Sequence, residues 1–244
     1  MDESHVPAIG LRYWILLLLA TTVAAFAGCV MTIPFGLPLG IKLIPLSAIL
    51  VVIFLLERRD ESSTDAWYWA AVAVIGAAGA RIADISTGAL ELDYLYLVVG
   101  LVILLGMTFA VGQSEETRLI SRLQVERARP SADLTHWIGM IVASVLGAVA
   151  SDLVKTGFQL GPLFAGALFA AMLGGFYCLF RFTRANRLLL FWCAVSLVSA
   201  EGGCIGRFVG SRQELGVSLV YGALFVVGPF VATLLFWRDR LGRS

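Results

Sequence analysis

Eight apolar stretches follow one another along the chain, and no ordinary soluble fold can bury so many. A helix crossing a hydrocarbon core of ~30 Å needs about 20 largely apolar residues. Stretches of that order, several near the lower limit, run at about 11–31, 39–56, 67–87, 94–112, 135–153, 162–180, 188–208 and 216–237. Composition agrees. Of 244 residues 59% are hydrophobic and 14% charged, where a soluble domain carries roughly 45–50% and about 25%. The sequence therefore predicts a polytopic membrane protein and excludes a disordered chain.

The net charge is only +1, but the charges are segregated. The polar connections are Glu57–Ala66, Gln113–Leu134 and Arg181–Arg187, with a tail at Arg238–Ser244. Counting Arg12 and these segments, 13 of the 18 basic residues fall on one side of the spans. Lys42, Arg81, Lys155, Arg207 and Arg212 are the remainder. Basic flanks stay in the cytoplasm, so both termini are expected inside. Trp14, Trp67, Trp69, Trp137, Trp192 and Trp237 all fall at the same expected cytoplasmic ends, where indole rings favour the headgroup layer. The run from Arg12 to Cys29 loosely mimics a lipoprotein signal, but Phe26 and Ala27 fit such a site imperfectly. A repeat gives Cys29 a better account.

Aligning the chain on Trp14, Trp69, Trp137 and Trp192 exposes that repeat. An aromatic residue or His precedes each anchor: Tyr13, Tyr68, His136 and Phe191. Seven residues on stand Thr21, Gly76, Ser144 and Ser199. Ten on stand Ala24, Gly79, Gly147 and Gly202. Ala25, Ala80, Ala148 and Gly203 follow at eleven, and Gly28, Ala83, Ser151 and Gly206 at fourteen. All sixteen are small, and offsets 7, 10, 11 and 14 share one helix face. Small residues on such a face let helix backbones approach closely within a membrane. Leu37, Leu92, Leu160 and Leu215 then occupy one equivalent position in the turn. The expected fold is all-α: eight transmembrane helices in one domain over 1–244, built as four two-helix repeats at about 11–57, 66–113, 134–181 and 188–238. Each unit has two spans, so the repeats are parallel and relate by an axis along the membrane normal. Gly28, Gly76, Gly79, Gly147, Gly202 and Gly206 are the expected helix-packing glycines, in four inner helices surrounded by four lipid-facing ones.

The pattern of Trp, a small residue at +10, Asp at +15 and Leu-Gly in the turn resembles a bacterial family of four-repeat integral membrane proteins usually described as uncharacterised membrane-anchored proteins. Tyr68-Trp69 through Gly79 to Asp84, and Trp137 through Gly147 to Asp152, carry the likeness. Phe191-Trp192 through Gly202, with Leu215-Gly216, carries it more weakly. The resemblance covers Tyr13 to Arg238 and implies the architecture but no activity. The chain departs from the pattern in its outer repeats. Ala24, Ala25 and Cys29 stand where Gly-Glu and Asp are usual, and Arg207 stands in place of Asp.

The +15 positions are thus Cys29, Asp84, Asp152 and Arg207, about 22 Å of helix from the Trp anchors. A charge in hydrocarbon costs at least ~2.5–3.5 kcal/mol, so these groups must be wetted or paired. Asp84, Asp152 and Glu201 are candidate ligands for a transported cation, with Arg207 beside them. The competing structural reading pairs Asp84 with Arg81 or Arg207, and Asp152 with Lys155, at helical spacings that permit it. Arg207 is expected to meet Asp84, Asp152 or Glu201. The cysteines show no metal-ligand spacing, although Cys29 and Cys204 fall in repeats that would be neighbours in a closed ring. His5 and His136 lie near the expected cytoplasmic surface. No phosphate loop, zinc motif or Ser–His pair is present, so neither an enzyme nor a cofactor is expected, and nothing points to nucleic acid. Arg118 to Arg129 forms a basic amphipathic stretch with Leu119, Ile120, Leu123 and Val125, suited either to an anionic lipid surface or to an ordinary positive-inside loop joining the two halves. The expected partners are the lipid bilayer and a small cation or other small solute. The expected function is transport through a polar core, the alternative being a scaffold, sensor or subunit whose ion site has degenerated.

Overall fold

A computed structural model of the chain describes residues 7, 9–32, 43–57, 65–123, 134–182, 187–210 and 219–236. Among these, eight α-helices and no strand occur: α1 Leu11–Thr32, α2 Leu43–Glu57, α3 Asp65–Asp84, α4 Tyr94–Leu123, α5 Leu134–Gly157, α6 Pro162–Phe182, α7 Arg187–Gly210 and α8 Leu219–Phe236. Five helical stretches, Leu11–Cys29, Ala66–Ala89, Leu134–Gly157, Pro162–Leu179 and Leu189–Gly210, are long and apolar enough to cross a membrane. The apolar stretches Leu43–Leu56, Tyr94–Thr108 and Val220–Leu235 are shorter. The eight spans expected from hydropathy are therefore five long helices and three shorter apolar ones. Parts of two expected spans, 39–42 of one and 216–218 and 237 of the other, lie outside the described residues.

One boundary is corrected. The segment after 112 was expected to be loop, yet α4 continues to Leu123. Gln113–Leu123 contains no Pro or Gly beyond Gly112, and its Glu, Arg, Leu and Gln residues favour helix. Hydropathy marks where a helix leaves lipid, not where its hydrogen bonding stops. The remainder of the basic stretch, 124–129, lies outside the described residues.

α1 packs on α7, α7 on α5, α5 on α3 and α3 on α1, which closes a four-membered ring. The other helices form an outer layer, each seated on the ring helix that follows it: α2 on α3, α4 on α5, α6 on α7, and α8 on α1. The outer helices present large exposed apolar side chains, such as Val52, Ile103, Phe164 and Phe225. That exposure is costly in water and natural in lipid.

Two hairpin turns use the same local device. Glu91 and Gln159 each stand 22 residues past their Trp, and each has a positive φ, 51° and 52°. A left-handed residue there lets the chain leave one helix and start the next within a few residues. After α3 the backbone passes first through a π-helical turn, Ile85–Ala89. The start of α4 is capped by Asp93, whose Oδ1 accepts from the Leu95 N–H at 2.7 Å. The start of α6 has Pro162 at its first position, where a missing N–H costs nothing.

Candidate functional site

The small residues mesh in a constant register around the ring. A methyl group on Gly79 would lie 2.9 Å from Ser144 Cβ, and one on Gly147 would lie 2.7 Å from Ser199 Cβ. A methyl group on Gly202 would strike Thr21, and one on Gly76 would lie 3.0 Å from the Ala24 methyl. At each of the four interfaces the +10 residue of one helix thus meets the +7 residue of the next. This constant step means that α1, α3, α5 and α7 run parallel. Gly206 similarly faces Ala25 and Phe26. Gly28 differs: its neighbour is the end of the Arg81 side chain, with Nη2 2.7 Å from a Cβ built there.

Inside the ring the +7 and +11 residues line a cavity. Thr21, Ala25, Gly76, Ala80, Ser144, Ala148, Ser199 and Gly203 line it, with Arg207 at one end. The volume open to the centre of a water molecule is about 20 Å³, room for about one water. Thr21 Oγ1 donates to the carbonyls of Leu17 and Leu18 at 2.9 and 3.0 Å. Ser199 Oγ is fully enclosed and has no hydrogen-bond partner among the described residues.

The Trp end of the ring is closed by the residues before the anchors. Tyr13, Tyr68 and His136 are all buried. The Tyr13 and Tyr68 hydroxyls are 3.0 Å apart, and the Tyr68 hydroxyl is 3.1 Å from His136 Nε2. Phe191 completes the circle, its ring centroid 5.9 Å from that of Tyr13. His136, read from sequence as lying near the membrane surface, is interior to this plug. Two tryptophans also need a different account from the headgroup preference expected of them. Trp69 is 0% exposed and Trp192 only 7%, so both are packed within the protein. Trp192 fills the space left by Gly139, 2.5 Å from where a Cβ would be. Sequence showed an aromatic or His before each anchor. That these residues meet depends on the parallel register of the helices.

The opposite end carries the charges. Arg207 Nη1 bonds Asp152 Oδ1, and Lys155 Nζ lies 2.9 Å from the same oxygen. Arg81 Nη1 lies 2.9 Å from Asp84 Oδ2, in ion-pair range but without hydrogen-bond geometry. Cys29, Asp84, Asp152 and Arg207 share one electrostatic neighbourhood. Both carboxylates are therefore committed to basic side chains. Arg81, Lys155 and Arg207 occupy the last turns of α3, α5 and α7, where cations offset the partial negative charge of helix C-termini. Parallel helices bring those ends together, which gives the surplus of cations a structural reason.

Glu201 stands apart from this cluster. It is half-buried on α7, does not line the cavity, and has no ion pair or hydrogen bond among the described residues. Cys204, also on α7, is buried, 3.2 Å from Ser151 Oγ. Cys29 Sγ is instead 3.2 Å from where a Gly210 Cβ would be, and no disulfide joins the described cysteines. No group of three metal-ligating side chains occurs among the described residues. The chain matches no family model, no curated protein and no solved structure.

Proposed function

We propose that the chain is a small-solute transporter of a bacterial inner membrane, not an enzyme, and that its route is the interior of the α1–α3–α5–α7 ring. One observation carries this reading. The ring surrounds a small cavity walled by equivalent residues of four parallel helices, between an aromatic cluster at one end and ion pairs at the other. A space lined by small residues between packed inner helices suits a solute site in a repeat-built transporter.

In this reading the helices are four two-helix repeats about an axis along the membrane normal, as the constant +10 to +7 register supports. The outer helices meet lipid, both termini are cytoplasmic, and the resemblance to the four-repeat membrane family is one of common architecture. No nucleic acid or cofactor takes part. The pairing of Asp84 and Asp152 argues against these acids as cation ligands, leaving Glu201 as the acid open to such a role.

The second reading, a scaffold or subunit that moves nothing, is favoured by the same pairing and by the cavity's small volume. Stopped-flow light scattering of liposomes holding the full chain separates the two. Transport requires faster re-swelling than in protein-free liposomes for at least one of a panel of small salts and polyols. Equal rates throughout would leave the scaffold.

A further inference from the structure

We propose that the outer face of α7 is a docking site for a transmembrane helix of another chain, one that carries a lysine or arginine near the middle of its span, and that Glu201 receives that cation. This goes beyond the transport reading and does not rest on it, because Glu201 points away from the ring. Helical phase places it there. Gly202 packs on Thr21 of α1, Gly203 lines the cavity, and Ala200 and Cys204 cluster with Ala165 and Phe169 of α6. Glu201 falls on the remaining arc, in a stripe with Ala194, Leu197 and Ile205, and all four are partly exposed. α6 flanks this stripe on one side. α8 flanks it on the other, its Gly222 facing Val209, and no close packing joins α6 to α8 among the described residues. The stripe is the floor of a groove open to lipid.

Depth gives the carboxyl its meaning. Glu201 stands nine residues past Trp192, about 14 Å of helix, and so near the middle of a hydrocarbon core of ~30 Å. An ionisable group facing lipid at that depth is costly, and such groups pair with one another. Glu201 has no ion pair or hydrogen bond among the described residues. The helix packing does not require an acid here, since the same offset on α1, α3 and α5 holds Val23, Ala78 and Leu146. Only α7 sets a carboxyl in its outer groove. The chain also has no cation of its own to offer. The apolar stretches of the outer helices, Leu43–Leu56, Tyr94–Thr108, Pro162–Leu179 and Val220–Leu235, contain no lysine or arginine, and Arg207 bonds Asp152. A second copy of this chain would therefore bring no basic residue to the groove at mid-span. Charge complementarity selects a different membrane chain, with one cation matched in depth to Glu201 and apolar side chains against Ala194, Leu197 and Ile205.

The test uses the purified full chain in phosphatidylcholine liposomes with synthetic polyleucine helices of about 20 residues, each bearing a dansyl group and one central Lys, Leu or Glu. Energy transfer from the chain's tryptophans to the dansyl group reports association. The Lys helix should bind about tenfold or more tightly than the Leu helix, and the Glu helix no better than the Leu helix. Glu201→Gln should bring the Lys helix to within about twofold of the Leu helix. Glu201→Leu should do the same, and should fold, because Leu146 already fills that offset on α5. Glu201→Lys should reverse the preference in favour of the Glu helix. Equal binding of all three helices to the wild type overturns the proposal. So does a Lys preference that survives both neutral variants, which places the cation at another acid. Sedimentation of the wild type in detergent as a dimer that Glu201→Leu dissociates also overturns it, since a second copy is then the occupant.

Discussion

Glycine does opposite things in the two layers of this molecule. On the ring helices Gly79, Gly147 and Gly202 lie where even a methyl group would collide with the next helix. On the outer helices Gly100, Gly106, Gly174, Gly175 and Gly228 have nothing within 4 Å of where a Cβ would sit. The residue is common to both layers, and what faces it separates them. The ring glycines fall on a small-residue face that another helix meets, which makes a seam. Gly174 on α6 has Ala167, Ala170 and Ala171 at the same helical spacings yet has nothing within 4 Å, whereas Gly222 on α8 is seated against Phe26, 3.1 Å from where its Cβ would be. A glycine within a membrane helix thus marks close packing only where a second helix brings a surface to it.

The sharpest way to break this contrast is Gly147→Val. Its Cβ would lie 2.8 Å from both Ala200 N and Ser196 O, and backbone cannot rotate away as a side chain can. We expect a loss of about 3 kcal/mol or more, or no folded protein, read from yield and chemical unfolding in detergent. Next is Arg207→Ala, which strips Asp152 of one of its two cations. Because Lys155 remains, the expected cost is about 2–3 kcal/mol, below that of a lone buried charge. An unchanged unfolding midpoint would show that the pair contributes nothing. A smaller effect is expected for Tyr68→Phe. The hydroxyl that joins Tyr13 to His136 is lost while the ring shape is kept, at about 1–2 kcal/mol. Thermal melting checks the size, and near-ultraviolet circular dichroism of the surrounding aromatic residues should change with it. The smallest expected effect has the opposite sign. Gly175→Ala on α6 meets nothing and improves helix propensity, and should stabilise by about 0.5–1 kcal/mol. A destabilisation there would show that the outer layer also packs through its glycines.

Much of the fold was legible because its controlling signals are local. The long helices begin and end within a few residues of the apolar runs, and the small-residue face follows from helical periodicity alone. The end of α4 was hidden because helix and hydrophobicity part company beyond Gly112. The site was legible only in outline. Asp84, Asp152 and Arg207 stand out as charges at one offset, and the Arg81 and Lys155 pairings follow from i,i+3 spacing. Which acid Arg207 takes depends on the order of helices around the ring, and that order is not a local property. Ser199 was marked for being small. That its hydroxyl is left without a partner among the described residues follows from what faces it, which no spacing reports. Trp69 and Trp192 mislead for a related reason: tryptophan suits both a headgroup layer and a packed interior, and sequence position alone cannot tell these apart.

The +10 to +7 meshing also governs how the ring can move. α5 and α7 are each both notch and tooth, α1 presses Thr21 and Ala24 into its two neighbours, α3 receives on both sides at Gly76 and Gly79, and the fourth interface returns to the first helix. A closed chain of this kind has no loose end. Tilting any one member disturbs the seat on both its flanks, and those neighbours can follow only by tilting in the same sense. Any widening of the space inside the ring would therefore proceed as the blades of a camera iris do, by a small shared rotation of four helices, and not as a door does, by the swing of one.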